Sequence, residues 1–449
     1  MNHQHQTQEA FEIFSAAFQT GRLKSLQGML NDLSPNHIAH LLESSPPKLR
    51  ENLWTLIHEE HHGEIISHLN EDIQTDFLQG KNAQELAELT SNLDSDDIAD
   101  ILQHLPDAII PQVLASMGKQ NRQRIESIIH YDEDSAGGLM NLDTICIRPR
   151  LTLEVVHQYL RQLGDMPAST DSLFVINRRN QFVGLLPVSA ILTSDPDKTV
   201  EELMDTDIKS IEASMSASET ARLFERYDWI SAPVVSTDGM LLGRITIDDI
   251  VDVIRDDADH SLLSMAGLDE YQDTFSPVIK TSLDRAIWLG LNLLTAFFAA
   301  STIKLFEDTI EKVVALAVLL PIVAGMGGVA GSQSLTVIIR GMALGQVVPQ
   351  NRRWLMQREA LAGLLNGLIW GIAAAAITAL WFNDLNMALI IALAIIINLL
   401  VAALSGTYLP ILFKRLNIDP ALASSMALTT ITDVVGFASF LGLATLFYG

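Results

Sequence analysis

The sequence predicts a multidomain membrane protein. It begins with an α-helical, superhelical N-domain, continues with an α/β domain of two repeated modules, and ends in an all-α transmembrane domain of five helices. Three observations predict this. Charge is segregated: residues 284–449 carry eight acidic and nine basic side chains, whereas residues 1–283 carry 46 acidic against 20 basic. Five apolar stretches follow one another after residue 283. Ahead of that point the chain echoes itself twice, once in a helical pattern and once in a strand–turn–strand pattern. The expected boundaries are 1–130 for the acidic helical domain, 131–255 for the paired modules, 256–283 for a connecting helix and 284–449 for the membrane domain.

The helical domain is read from "LSPNHIAHLLESSPPKL" (33–49), which returns as "LDSDDIADILQHLPDAI" (93–109). Such an echo suggests stacked helical hairpins. Asp96 and Asp100 lie one turn apart there, as a cation perch or as a solvated face. "HEEHH" (58–62) matches a zinc-protease signature through His58, Glu59 and His62. No further histidine extends it, so a polar helix face is expected and no enzymatic activity. The acidity of this half argues against nucleic acid as a partner and suits cations. The single cysteine, Cys146, rules out a disulfide framework within the chain.

The α/β domain is read from "SLFVINRRNQFVGLLPVSAIL" (172–192) and "SAPVVSTDGMLLGRITIDDIV" (231–251). Each follows a helical stretch, and together they resemble a tandem pair of CBS modules, regulatory units that often sense adenosine nucleotides or ions. The nucleotide motif of such modules is matched in the second copy by Gly243, Thr246 and Asp249; the first has Gly184 but then Pro187 and Ala190. An adenine nucleotide is thus a candidate ligand. Asp248, Asp249, Asp252, Asp256, Asp257 and Asp259 follow at helical spacing. Like charges so spaced repel, and the helix needs bound cations to offset them.

The apolar stretches run over 286–305, 313–339, 360–382, 386–412 and 421–447. Each reaches the roughly 20 helical residues that cross a hydrocarbon core. Arg340, Arg352, Arg353 and Arg358 lie between the second and third, and Lys414 and Arg415 between the fourth and fifth. Basic loops stay in the cytosol. The amino-terminal "MNHQHQTQEAF" lacks a basic-then-apolar leader. A multi-pass protein of the inner (plasma) membrane is expected, with a cytosolic N-terminus and the C-terminus outside.

Asp433 stands near the middle of the fifth stretch, where a charge costs several kcal/mol unless it meets a polar cavity or a partner. Thr429 and Ser425 precede it by helical steps and Gly436 follows, giving a small, polar stripe. No Lys or Arg is available inside the spans, so a mobile cation is the natural counter-charge. Two copies of Asp433 meeting at a dimer axis would favour a divalent ion, with Mg²⁺ held through its waters. In the second stretch, "PIVAGMGGVAGSQSLTVIIR" places Gly325, Gly327, Gly328 and Gly331 before Gln333. These glycines serve either close helix packing or local unwinding beside a polar cavity.

The whole arrangement resembles the MgtE-type bacterial magnesium channels, most specifically in "GMGGVAGSQSLTVIIR", "DPALASSMALTTITDVVG" and "YDEDSAGGLM" (131–140). The resemblance covers nearly the whole chain. It implies a homodimer in the lipid bilayer with its pore on the dimer axis, and Asp433 as the ion-selecting carboxylate. Thr429, Ser425, Gly325, Gly328 and Gln333 accompany Asp433 along the ion path. Asp249, Asp252, Asp257, Asp228 and Asp419 fall where the family binds regulatory Mg²⁺, and Asp96 and Asp100 join them as candidates. The implied gate closes when cytosolic Mg²⁺ is high. Val329 and Ser425 stand where the family usually carries Asn, and Ser216 and Ser218 where it often carries acids. Besides a Mg²⁺-selective channel, two readings remain open: a coupled transporter of Co²⁺ or Mn²⁺, and a membrane-anchored cation sensor without transport.

Overall fold

The computed structural model describes residues 27–28, 30, 33–91, 93–106, 108–268 and 273–448. The polar amino-terminal stretch lies outside them. The chain divides into two compact units, one within Met1–Asp256 and Tyr271–Ser276, the other within Asp257–Glu270 and Pro277–Gly449.

The first unit opens with short helices: α1 (Pro35–Glu43), α2 (Pro47–Trp54), α3 (His62–Ser67), α4 (Glu71–Leu78), α5 (Ala83–Leu89), α6 (Ser95–Gln103), α7 (Ile110–Ser116) and α8 (Lys119–Ile128). None is long enough to be stable alone in water, so packing must hold them. The sequence echo explains how. Ile38, Ala39, Leu41 and Leu42 are buried in α1, and Ile98, Ala99, Ile101 and Leu102 are buried at the corresponding positions of α6. Prolines open α1 and α2 and sit in the first turn of α7, where no intrahelical N–H is lost.

The two modules follow the predicted order. The first is β1 (Cys146–Ile147), α9 (Leu153–Leu163), β2 (Ser172–Ile176), β3 (Phe182–Pro187), α10 (Val188–Thr193) and α11 (Val200–Leu203). The second is β4 (Ile211–Glu212), α12 (Ala217–Tyr227), β5 (Ser231–Val235), β6 (Leu241–Thr246) and α13 (Ile247–Met265). In both, the first strand runs parallel to the second and the second antiparallel to the third. Each third strand also takes a bridge from beyond its own sheet: Leu185 pairs with Asp205, and Arg244 with Asn141. This close approach requires Gly184 and Gly243. A Cβ there would lie 2.6 Å from the Asp205 carbonyl oxygen and 2.7 Å from that of Asn141.

One apolar core runs from the helical array into the second module, through Leu102, Ile125, Met140, Phe224, Val234 and Ile250 among others. The first module has a separate core around Val156, Val175 and Leu186.

The expected connecting helix over 256–283 takes a different form. Helix α13 starts at Ile247, inside the second module, and ends at Met265. Gly267, at φ +73°, stops it, with its N–H donating to the Ser264 carbonyl at 3.0 Å. Among the described residues, the next helix begins after Pro277.

The second unit contains α14 (Val278–Lys304), the short α15 (Glu307–Lys312), α16 (Ala315–Ala343), α17 (Arg352–Phe382), α18 (Leu385–Arg415) and α19 (Pro420–Tyr448). Five of these are long and apolar enough to cross a membrane. They overrun the predicted stretches because helix continues past the apolar residues into basic ends such as Arg352 and Arg415. Helix α18 is the most enclosed and α14 the least. Gly363, Gly367 and Gly371 let α17 lie directly on α18; a Cβ on Gly367 would come within 2.9 Å of the Ile396 Cα.

Helix α16 is unbroken from Ala315 to Ala343, so its glycines do not unwind it. They divide by role. Gly327 and Gly331 receive Asn398 and Leu428, whereas Gly325 and Gly328 have nothing within 4 Å of where a Cβ would stand.

Candidate functional site

The acidic residues of the first unit converge where α6 meets the second module. Asp96, buried in the first turn of α6, accepts a hydrogen bond from Asn141 Nδ2 at 3.2 Å. Asn141 is itself held by its backbone bridge to Arg244 on β6. Asp249, in the first turn of α13, accepts from Thr246 Oγ1 at 3.0 Å. Burial, then the Asp94 charge, pushes the Asp96 carboxyl up to about 6. Burial with Asp96, Asp94, Asp248 and Asp252 nearby raises Asp97 to about 7. Burial with Asp96 and Asp248 raises Asp249 to about 8. Asp100 is driven well above the usual carboxylate range by burial and by Glu133. Carboxyls raised in this way hold protons at a higher pH than ordinary ones do.

Sequence reasoning singled out Asp96, Asp100, Asp249 and Asp252 in this region and missed Asp97. The available signal was its side-by-side position with Asp96 in "DSDDIADIL". It also missed Asn141, which carries no charge to flag it. Asp228 is exposed and caps the end of α12 in a left-handed conformation, at φ 53°. Asp257 lies farther along α13 and is exposed. In the second unit, Asp419 accepts from the backbone N–H groups of Ala421 and Leu422 at 2.9 and 3.2 Å, capping α19, and His260 Nε2 stands 3.5 Å away. "HEEHH" does not form one helix face: His58 precedes a 3-10 turn over Glu59–His61, and His62 opens α3 and stacks on Trp54, with ring centroids 4.0 Å apart.

The membrane-spanning residues form a second site. Helices α16 and α19 pack antiparallel, since Gly331 receives Leu428 and Gly436 receives Val323. Asp433 is therefore level with Met326 and the paired glycines. Its carboxylate is half-buried and has neither an ion pair nor a hydrogen bond among the described residues. Thr429 is exposed on the single chain and Ser425 partly so, and Thr429 Oγ1 donates to the Ser425 carbonyl at 3.1 Å. On α16, Gly325, Val329, Ser332 and Gln333 are exposed and Gly328 partly so. Behind this face, the fully buried Asn398 of α18 donates from Nδ2 to the Val323 carbonyl at 2.8 Å. It fills the notches at Gly327 and Gly436 and so fixes α16, α18 and α19 together. Sequence reasoning missed Asn398, a lone amide in a long apolar run.

Three family models match the chain: "MgtE intracellular N domain" over residues 33–134, "CBS domain" over 200–256, and "Divalent cation transporter" over 320–443. The chain is 30% identical over 431 residues to the magnesium transporter MgtE of Bacillus subtilis, covering 95% of each chain. It belongs to the MgtE family. The MgtE magnesium transporter of Thermus thermophilus is 28% identical over 435 residues, covering 96% of each chain. Among solved structures, the cytosolic domain of the Mg²⁺ channel MgtE in complex with ATP matches 54% of this chain and 98% of its own, at 28% identity and a TM-score of 0.49. Within the MgtE frame, the buried acids fall in the N-domain and the second CBS module, and Asp433 falls within the divalent cation transporter match.

Proposed function

We propose that the chain forms a homodimeric, Mg²⁺-selective channel that imports magnesium and closes when cytosolic Mg²⁺ bridges its acidic domains. The observation that carries this reading is the mid-span carboxylate of Asp433, which has no positive partner among the described residues. A charge so placed needs a counter-ion, and a permeating dication supplies one. Family membership with magnesium transporters names the ion. Mg²⁺ gives up water reluctantly, so two copies of Asp433 across a dimer axis would hold it through its hydration shell. The exposed stripe of Gly325, Gly328 and Gln333 on α16, with Ser425 and Thr429 on α19, suits a pore wall shared between two copies. Val329 and Ser425 make that wall less amide-rich than is usual in the family.

The acids of the first unit support the gate. Asp96, Asp97, Asp100 and Asp249 repel one another when bare, and bound Mg²⁺ turns that repulsion into a bridge. Helix α13 carries Asp249 and Asp252 at its start and leads along the chain toward the membrane helices. Asp228, Asp257 and Asp419 are further candidate regulatory positions. An adenine nucleotide is a candidate ligand of the CBS modules, the second of which carries Gly243, Thr246 and Asp249 of the motif. The basic loops support a cytosolic first unit and a C-terminus outside.

The test is Mg²⁺-dependent growth of a transport-deficient bacterium carrying the wild type or Asp433→Ala. Rescue by the wild type only is expected; equal rescue removes Asp433 from the mechanism. Flux in liposomes without a proton or Na⁺ gradient separates the channel from a coupled Co²⁺ or Mn²⁺ carrier, since a channel needs neither gradient.

A further inference from the structure

We infer that the first unit holds a transition-metal site, beside Asp100 of the acidic cluster, built from Glu71, His104 and Glu133. One ligand atom from each of the three lies within 4.8 Å of the others, and among the described residues they are the group of three His, Cys or acidic side chains that converges in this way. They come from three places in the fold. Glu71 opens α4, His104 directly follows α6, and Glu133 lies in the turn before the first module. Distances in the sequence are large, so the fold alone brings them together.

The geometry around His104 asks for a cation with several acceptors. Its Nε2 faces both carboxylates, touching Glu71 Oε1 and standing 3.4 Å from Glu133 Oε1. An imidazole nitrogen carries at most one proton and cannot serve two carboxylates at once. Both ring nitrogens are shut off from solvent, so the two carboxylates are the partners that Nε2 meets. A metal ion at the centre gives all three ligands a bond simultaneously. Zinc binds nitrogen and carboxylate oxygen at about 2.0–2.2 Å, so small side-chain rotations close the set. An imidazole ligand selects against Mg²⁺, which takes oxygen, and for first-row ions such as Zn²⁺ or Co²⁺. Three protein ligands leave at least one position for water. The bound ion would staple the turn containing Glu133 to two helices of the array, four residues ahead of the Gly137–Gly138 pair whose missing side chains let Tyr131 and the Asp132 carbonyl close in.

The test uses the full chain in detergent, titrated with Co²⁺ and then Zn²⁺ in the presence of millimolar Mg²⁺. One Co²⁺ per chain with a visible d–d absorption band, displaced by Zn²⁺ and accompanied by a rise in Tm, is expected. His104→Gln and Glu133→Gln should each abolish the band and weaken Zn²⁺ binding at least about tenfold, in keeping with loss of a direct ligand. His61→Gln, a histidine outside the group, should leave both unchanged. Glu133 lies in a turn, so its variant reports on binding even if His104→Gln disturbs folding. Absence of the band, its survival in both site variants, or its displacement by Mg²⁺ would each overturn the assignment. None of these outcomes depends on transport or gating.

Discussion

Asn141 joins two elements that the sequence sets far apart: its backbone pairs with Arg244 on β6, and its side chain donates to the buried carboxylate of Asp96 on α6. The residue is thus the hinge pin between the helical array and the second CBS module.

Asn141→Ala should destabilise the first unit by about 1–3 kcal/mol, the cost of leaving a buried acceptor unpaired. Thermal unfolding in Mg²⁺-free buffer checks this. Millimolar Mg²⁺ should restore most of the loss if the ion occupies the Asp96 cluster.

Asp96, Asp97 and Asp249 have folded-state values raised to about 6, 7 and 8. The folded chain therefore binds more protons than the unfolded chain between the ordinary carboxylate range near 4 and about 8. Stability must fall as pH rises through that window. The expected measurement is a Tm that declines from pH 5 to pH 8.5 without divalent cations, with a flatter profile in Mg²⁺. Mg²⁺ affinity should rise over the same span, because fewer protons compete for the site.

Asp97→Asn removes a charge that burial and four neighbouring acids already disfavour. The variant should be more stable than the wild type at pH 8 without Mg²⁺ and gain less from adding it. Liposome flux should show a channel that stays open at higher internal Mg²⁺. A variant equally stabilised by Mg²⁺ would remove Asp97 from the bridge.

Gly406→Ala and Gly328→Ala form a matched pair in the membrane domain. A Cβ at Gly406 would stand 2.6 Å from the Gly331 carbonyl oxygen, a backbone atom that cannot swing away; at Gly328 it meets nothing within 4 Å. Gly406→Ala should cost about 1–3 kcal/mol by overpacking. Gly328→Ala should leave Tm unchanged yet alter flux if that face lines the pore.

The five spans were legible because length and apolarity suffice to identify them, and the helical echo because each copy must bury the same four side chains. The carboxylate of Asp433 stood out because nothing in its stretch could neutralise it. Less was legible where the decisive neighbour is distant or uncharged. Asn398 reads as one polar letter in an apolar run, although it locks three helices. Glu71, His104 and Glu133 carry no common spacing. The glycines of α16 allowed two readings by composition, and only the packing partners of Gly327 and Gly331 separate them from Gly325 and Gly328.

Helices α1 and α6 bury matching apolar quartets but differ in their polar residues: Asn36, His37 and His40 are exposed on one, whereas Asp96, Asp97 and Asp100 on the other are wholly or partly buried. The scaffold is thus indifferent to the chemistry it displays. Exchanging a few polar letters in the second copy changes what this helix offers its neighbours, while the shared apolar quartet keeps the architecture sound.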